Sequence, residues 1–448
     1  MPKINKFIIQ YKEIFKDVKI DISGKKPPKY LIKRFVEIVK TDITDPRYEN
    51  MCTYPIETIL VTAFIAILCN ASNWAEISDA TLEYKDWLCK FVEIPNGKVP
   101  IDDTYRRVFS LIDTDELIEA TKKYLLEIFR KIKRFMDKYL KQHDIDTGEL
   151  ITKKGYTLIN IDGKVARGTG RYYDPEEKKI SNLQTLNVYN ASDGISLFSI
   201  PIDNKENEIP VAQEVISKMN LKDSIVTMDA LHAQHKTFDI IIKKQGDFLI
   251  GLKSNQGDAF CEVNTIVTPE YLKSLDKKET HITEVDKNGE VIKEYYKANF
   301  SDFAIFKDTT NDGITKWTGC RNIVIYKHLN KKDSTYVTQY FVTSLNDLEC
   351  IVEAINSRWD VENLLHRYLD VSFSEDLNKT MNVNAFNNFS IMNKLCLSLL
   401  KLAKPIIGRS MIRMRKSFSM APVSYLFSIL AILDINVIEK AFNDIKTA

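Results

Sequence analysis

From Tyr156 to Arg171 the chain reads YTLINIDGKVARGTGR, and this stretch constrains the fold more than any other. Tyr156, Leu158, Ile159 and Ile161 form an apolar, β-prone run that predicts a buried strand, with Asp162-Gly163 as its exit. Past that exit come cations and glycines, with Lys164 and Arg167 as donors suited to anions. An acid at a strand exit can hold a metal ion. It can equally be the Asp of an Asp-Gly hairpin turn. Two later acids tip the balance toward the first reading.

At 448 residues the chain exceeds one simple core, and its length predicts about three domains or one large domain with an insertion. An apolar fraction of 44% against 28% charged residues suits a folded protein with a sizeable interior. The net charge of +2 provides little bulk attraction for nucleic acid, so such a partner has to be met by local basic patches. One patch holds Lys122, Lys123, Arg130, Lys131, Lys133, Arg134, Lys138 and Lys141, and a second holds Arg409, Arg413, Arg415 and Lys416. Each reads equally as a phosphate grip or a solvated helix face. The seven cysteines are widely spaced and never form CxxC, so neither a disulfide framework nor a zinc site is expected. The N-terminus lacks signal-peptide character, and the longest apolar run, Ile59 to Cys69, is far short of the roughly 20 residues of a membrane span. A soluble, reducing-compartment protein with no membrane partner is expected.

Residues 1–150 read as a helical N-terminal domain. A Pro-started helix carries Ile56, Ile59, Leu60, Ala63, Phe64, Ile67 and Leu68, and Asp102 and Asp103 are expected to cap a helix bearing Arg106 and Arg107. The polar stretch His143 to Gly155 marks the boundary. Residues 151–448 then alternate strands and helices. A hairpin is expected from Leu183–Tyr189 and Ile195–Ile202, followed by a helix, the strand Ser224–Met228 ending at Asp229, another helix, and the strand Phe248–Leu252. This β-β-β-α-β-α-β order, with acids ending the first and fourth strands, is the pattern of an RNase H-like α/β core. A β-rich insertion is expected at about 258–345, with strands at Ile292–Tyr296, Phe303–Phe306, Asn322–Tyr326 and Tyr336–Thr343 and a hairpin turn at Asp286–Gly289. After it, a helix runs through Ile351, Ile355, Trp359, Glu362, Leu365 and His366.

Asp162, Asp229 and Glu362 are the candidate catalytic and metal-binding acids. Few carboxylates with gaps between them suit Mg²⁺ or Mn²⁺, and two such ions in one site serve in-line displacement at phosphorus. Singly, Asp229 could cap a helix and Glu362 could pair with Arg358. Arg358 and His366 stand one helical turn to either side of Glu362, positions from which they can orient it or touch a phosphate. His366 can also be a packed core histidine, and Trp359 a base-stacking ring or a core anchor. Lys205 and Glu208 in KENE, and Lys253, Asn255 and Gln256 in KSNQ, are polar clusters beside strand ends. The candidate DNA contacts are thus Lys164, Arg167, Lys205, Lys253, Asn255, Arg358 and His366, with Arg106 and Arg107 in the helical part. No GxxxxGK[ST], HExxH or GxSxG motif occurs.

At these residues the chain resembles the H-repeat-associated family of bacterial insertion-sequence transposases, members of the DDE class. The resemblance rests on DPRYENMCTYPIETILVTAFIAILCNASNWAEI and PIDDTYRRVF in the N-terminal part. In the core it rests on NIDGKVARG, KENEIP, VTMDALHAQ, GDFLIGLKSNQ, RWDVENLLHRYLDVSFSED and NAFNN. It implies an RNase H-like catalytic domain and a divalent metal. It also implies cleavage and strand transfer of double-stranded DNA at terminal inverted repeats and a target, with the acid triad on Asp162, Asp229 and Glu362. A homodimer in the DNA complex and a bacterial cytoplasmic, nucleoid-associated location follow from the same resemblance. The chain departs from the family pattern at Ile101, at Arg358-Trp359 and at Leu365-His366-Arg367. A domesticated copy that binds DNA without moving it, and a plain metal-dependent nuclease, are the alternatives.

Overall fold

The computed structural model describes residues 29–48, 50, 52–142, 155–169, 172–174, 179–202, 208–304, 316–330, 334–420, 433–434 and 436–437. It opens with helices α1 (Lys29–Asp42), α2 (Ile56–Leu68), α3 (Trp74–Glu83), α4 (Asp102–Leu111) and α5 (Thr114–Gln142). An apolar run with no polar stripe must be covered on all sides, and every residue of α2 except Glu57 is buried. Asp102 and Asp103 are first-turn residues of α4 rather than caps, since Ile101 holds the N-cap position. Their charge instead meets the positive end of the helix.

Strands β1 (Thr157–Val165), β4 (Gln184–Asn190) and β5 (Ile195–Ile202) pair antiparallel, with a separate small hairpin of β2 (Tyr172–Asp174) and β3 (Lys179–Ser181) between the first two. After α6 (Glu208–Lys218), β6 (Ser224–Met228) runs parallel to β1, and after α7 (His235–Lys243), β7 (Asp247–Leu252) runs parallel to β6. The resulting order, β5-β4-β1-β6-β7, is the expected RNase H-like arrangement.

The insertion forms no separate body. Helices α8 (Gly257–Ile266) and α9 (Pro269–Ser274) lead into β8 (His281–Val285), β9 (Val291–Asn299), β10 (Asn322–Asn330) and β11 (Thr335–Thr343). β11 pairs antiparallel with β7, Tyr340 opposite Leu252, so the insertion extends the same sheet to nine strands. The expected strand at Phe303–Phe306 does not form over its described part. Phe300–Asp302 make a 3-10 turn, Asn299 accepts a hydrogen bond from the Ser301 amide, and Phe303 drops into the core; residues 305 and 306 lie outside the described part.

Strand alternation sends Ile159 and Ile161 to one face, under α6, α7 and α8, and Leu158 to the other. On that second face α10 (Leu348–Ser357) buries Ile351, Ala354 and Ile355 against Leu158, Ile225, Leu249 and Phe341. Each large side chain so buried contributes about 1.5–3 kcal/mol. A π-helical segment (Val361–His366), α11 (Arg367–Phe373), α12 (Val383–Ile407) and α13 (Met411–Met420) complete the described helices.

The boundary near residue 150 does not separate two cores. Phe35, Phe64 and Tyr124 of the N-terminal helices share one cluster with Phe389, Met392, Leu395 and Leu399 of α12 and Met414 of α13. Asn388 of α12 donates to the carbonyls of Phe109 (2.9 Å) and Ile112 (3.0 Å), closing the last turn of α4. Among the described residues no helix is long and apolar enough to cross a membrane.

Part of each basic patch is consumed by this packing. Lys123 pairs with Asp42 at 2.6 Å, Lys122 lies over Phe198 and Lys131 over Tyr30, leaving Arg130 and Arg134 exposed on α5. The side chains of Lys138 and Lys141 lie outside the described residues. Arg415 is buried, 3.7 Å from the Phe373 ring centroid and bonded to Asn70. It therefore does not belong to a surface patch, whereas Arg413 and Lys416 are exposed.

A tight crossing anchors the segment after β1. A Cβ on Gly168 would stand 2.5 Å from the backbone oxygens of Asp376 and Asn378. Gly168→Ala is therefore expected to cost about 1–3 kcal/mol, because neither carbonyl can yield as a flexible side chain would. A thermal melt with an unchanged midpoint would contradict this crossing.

Candidate active site

The face of the sheet that carries Leu158 also carries Asn160 and Asp162 on β1 and Thr227 and Asp229 on and beyond β6, by the same two-residue alternation. Parallel pairing stops at Asn160 opposite Thr227, so two residues on Asp162 and Asp229 stand level where the strands part. Asp162 is not at a strand exit, contrary to expectation. β1 continues to Val165 because β4 still pairs with it, Asp162 opposite Asn187. What ends at Asn160 is the support on the other side.

Hydrogen bonds tie α10 to this place. Thr227 donates to Asn160 Oδ1 (2.8 Å), and Asn160 donates to the carbonyl of Ser357 (2.7 Å), the last residue of α10. The chain then turns at Arg358 and Trp359 and enters the π segment, a wider coil often found at functional sites. Arg358 and Glu362 line the site, while His366, four residues on, is buried with its Nδ1 3.7 Å from Asp162 Oδ2. Arg358 donates to Gln339 Oε1 (3.0 Å) and its guanidinium lies over the rings of Phe341 and Trp359. A cleft of about 180 Å³ results, lined by Asp162, Asp229, Glu362, Lys253, Arg358 and Gln339. Trp359 stands at its rim, 44% exposed.

The charges are unevenly matched. Burial pushes the Asp162 carboxyl up to about 7, and the like charges of Glu362, Glu208 and Asp229 push the same way. Burial also raises Glu362, against the pull of Arg358. For Asp229 burial acts upward too, but Lys253 at 2.9 Å and the Ala230 amide overcome it and leave the carboxyl below its ordinary value. Burial lowers Arg358 against the attraction of Asp229, Glu362 and Asp162. Three hard oxygen donors with one acid crowded by its neighbours fit a divalent cation such as Mg²⁺. Among the described residues no three His, Cys, Asp or Glu side chains already stand in a metal-ligand arrangement.

His366 is buried and its imidazole is held down to about 3, by burial first and then by Lys164 and Lys394, so the ring is neutral. Asn187 donates to its Nε2 (3.1 Å), which leaves the ring proton on Nδ1, 3.7 Å from Asp162 Oδ2. It meets the acid rather than the surface.

The other expected DNA contacts fall into different places. Lys164 is not available to a phosphate: its buried ammonium pairs with Asp370 and Glu375, each at 2.6 Å. Asn255 donates to the Ala230 carbonyl (3.2 Å), fixing the loop after Asp229. Arg167 is exposed beyond β1. Arg106 and Arg107 are exposed on α4 and pair with Asp103, and neither lines the cleft. Lys205 lies outside the described residues. Sequence reasoning missed Gln339, which reaches the cleft only because β11 joins the sheet beside β7. It also missed the contact of Glu208 Oε1 with His232 Nε2 at 3.1 Å, although both residues lie in the quoted motifs KENEIP and VTMDALHAQ.

Residues 153–399 match the protein family described as "Transposase DDE domain", and residues 40–125 match the one described as "DDE_Tnp_1-associated". The chain is 27% identical over 376 residues to YncI of Escherichia coli O157:H7, which carries a transposase name, covering 82% of this chain and 87% of that one. It is 25% identical over 411 residues to YhhI of Escherichia coli K12, named as H repeat-associated, covering 89% of this chain and 98% of that one. YbfL of the same strain matches to the same extent. With more than half its length inside the DDE domain and relatives of the H repeat-associated kind along most of the remainder, the chain belongs to the H repeat-associated family of DDE transposases.

Proposed function

We propose that this chain is a metal-dependent DNA transposase that cuts and joins phosphodiester bonds at the ends of an insertion sequence, with Asp162, Asp229 and Glu362 as its metal-binding acids. The observation that carries the reading is the meeting of these three acids, from β1, the end of β6 and the π segment, around one cleft. Held by them, two Mg²⁺ or Mn²⁺ ions would supply the charge that stabilises the attacking and leaving oxygens.

The chain's own groups do the positioning. Arg358, pre-organised between two rings and Gln339, clamps a phosphate oxygen with its remaining donors. Lys253 pairs with Asp229 at 2.9 Å and would be free for the phosphate backbone if Asp229 held a cation. His366 keeps its buried, neutral ring beside Asp162, with Nδ1 3.7 Å from Oδ2. The exposed cations Arg167, Arg130, Arg134, Arg106 and Arg107 extend the DNA-facing surface, and two copies of the chain hold two element ends together.

The test is a strand-cleavage and joining assay on DNA carrying the inverted repeats that flank the gene, with Mg²⁺ or Mn²⁺, comparing wild type with Glu362→Gln. Products that require metal and specific ends, and vanish in the variant, are expected. Cutting without dependence on ends would mark a nuclease instead. Tight binding with no product from either protein would mark a DNA-binding protein without catalysis. Arg358→Lys keeps the charge but loses the planar stack and fork, and is expected to slow cleavage about 10²-fold, or ~3 kcal/mol. Unaltered rates would remove Arg358 from the site.

A further inference from the structure

We infer that Glu208 is a fourth acid of this site, an oxygen ligand for the divalent ion held by Asp162 and Asp229; the inference rests on the function proposed above. Glu208 opens α6, on the face of the sheet opposite α10. Its carboxylate lies flat against β1 at the residue after Asp162. A Cβ on Gly163 would stand 2.7 Å from Glu208 Oε2 and 3.0 Å from its Cδ, so glycine alone leaves that seat open.

The other oxygen is fixed from the second strand. Glu208 Oε1 stands 3.1 Å from Nε2 of His232, three residues beyond Asp229 and 1% exposed. A carboxylate oxygen only accepts, so the ring proton sits on Nε2, and Nδ1 is buried without a hydrogen bond among the described residues. Imidazole behind a carboxylate is the arrangement that orients a metal ligand from outside its coordination shell. Glu208 thus ties β1 at Gly163, next to Asp162, to the 3-10 turn that holds His232, three residues beyond Asp229. An acid serving only the positive end of α6 would need neither the bare backbone of Gly163 nor a buried histidine. The side chain keeps 24% of its surface exposed, so the carboxylate is seated without being sealed off.

The experiment is a calorimetric titration of the full-length chain with Mn²⁺, without DNA, comparing wild type, Glu208→Gln, Gly163→Ala and Asp162→Asn, with circular dichroism to verify folding. Glu208→Gln and Gly163→Ala are each expected to weaken Mn²⁺ binding about tenfold or more, Asp162→Asn at least as much. Gly163→Ala keeps every acid and unseats only Glu208, so it carries the test if Glu208→Gln fails to fold. Wild-type affinity in a folded Glu208→Gln, or in Gly163→Ala, with weakened binding in Asp162→Asn, would overturn the role of Glu208 and leave the triad intact. Wild-type affinity in all three would overturn the acid site itself.

Discussion

Asp162→Asn is expected to cut strand cleavage by at least about 10³-fold, ~4 kcal/mol, while making the metal-free protein more stable above neutral pH. Both effects have one cause. The carboxyl is buried among Glu362, Glu208 and Asp229, and its folded-state value of about 7 lies above the unfolded value near 3.9. An acid raised on folding contributes stability that is whole below about pH 4 and is lost as pH rises through 7. The asparagine escapes that loss. Water still reaches 30% of the side chain, so the gain at pH 8 is set at about 1 kcal/mol rather than the several the shift alone would give. Thermal melts in chelator at pH 5 and pH 8 read it: the variant's advantage should be clearly larger at pH 8 than at pH 5. Saturating Mg²⁺ should then stabilise wild type and leave the variant unmoved. Parallel melting curves at both pH values would show that the acids are not crowded.

What was legible in the sequence was whatever depends on neighbours along the chain. The alternation from Leu158 to Asp162, the turn before Ile195 and the five buried residues Ser224–Met228 are local patterns, and with them came the strand order that brings Asp162 level with Asp229. Lys164 misled because its partners Asp370 and Glu375 lie about two hundred residues away, and a lysine after a strand looks the same whether it meets phosphate or a buried carboxylate. Gln339 carried no signal, since its place depends on β11 choosing β7 as its neighbour. The helical first third read as a domain because amphipathic helices reveal an apolar face but not what covers it. Here α12, from the far end of the chain, does so. Asp102 and Asp103 gave the position of a helix start correctly within a residue, but not which residue would cap it.

Glu375→Gln is expected to destabilise the fold by about 3–5 kcal/mol, because it breaks a buried ion pair from one side. Glu375 is 2% exposed and accepts from Lys164 Nζ and from Ser390 Oγ, both at 2.6 Å. Lys394, also buried, reaches Ser390 at 2.9 Å and Ser199 beyond it. Burial works to raise the Glu375 carboxyl, yet Lys164 and Lys394 together hold it down to about 2. Burial drags Lys394 down to about 8 even with Glu375 beside it. Glutamine would thus leave two buried ammonium groups with only Asp370 and the more distant Asp376 to answer Lys164. Lys394→Met should cost clearly less, because Glu375 keeps Lys164 and Ser390. The pH dependence separates this account from simple loss of packing. An acid lowered on folding contributes stability that is whole above about pH 4.5 and is lost as pH falls through 2. Chemical denaturation should therefore show a wide gap between wild type and Glu375→Gln at pH 7 that narrows steadily toward pH 2. A gap unchanged across that range would mean that shape, rather than charge, is what Glu375 supplies between Lys164 and Ser390.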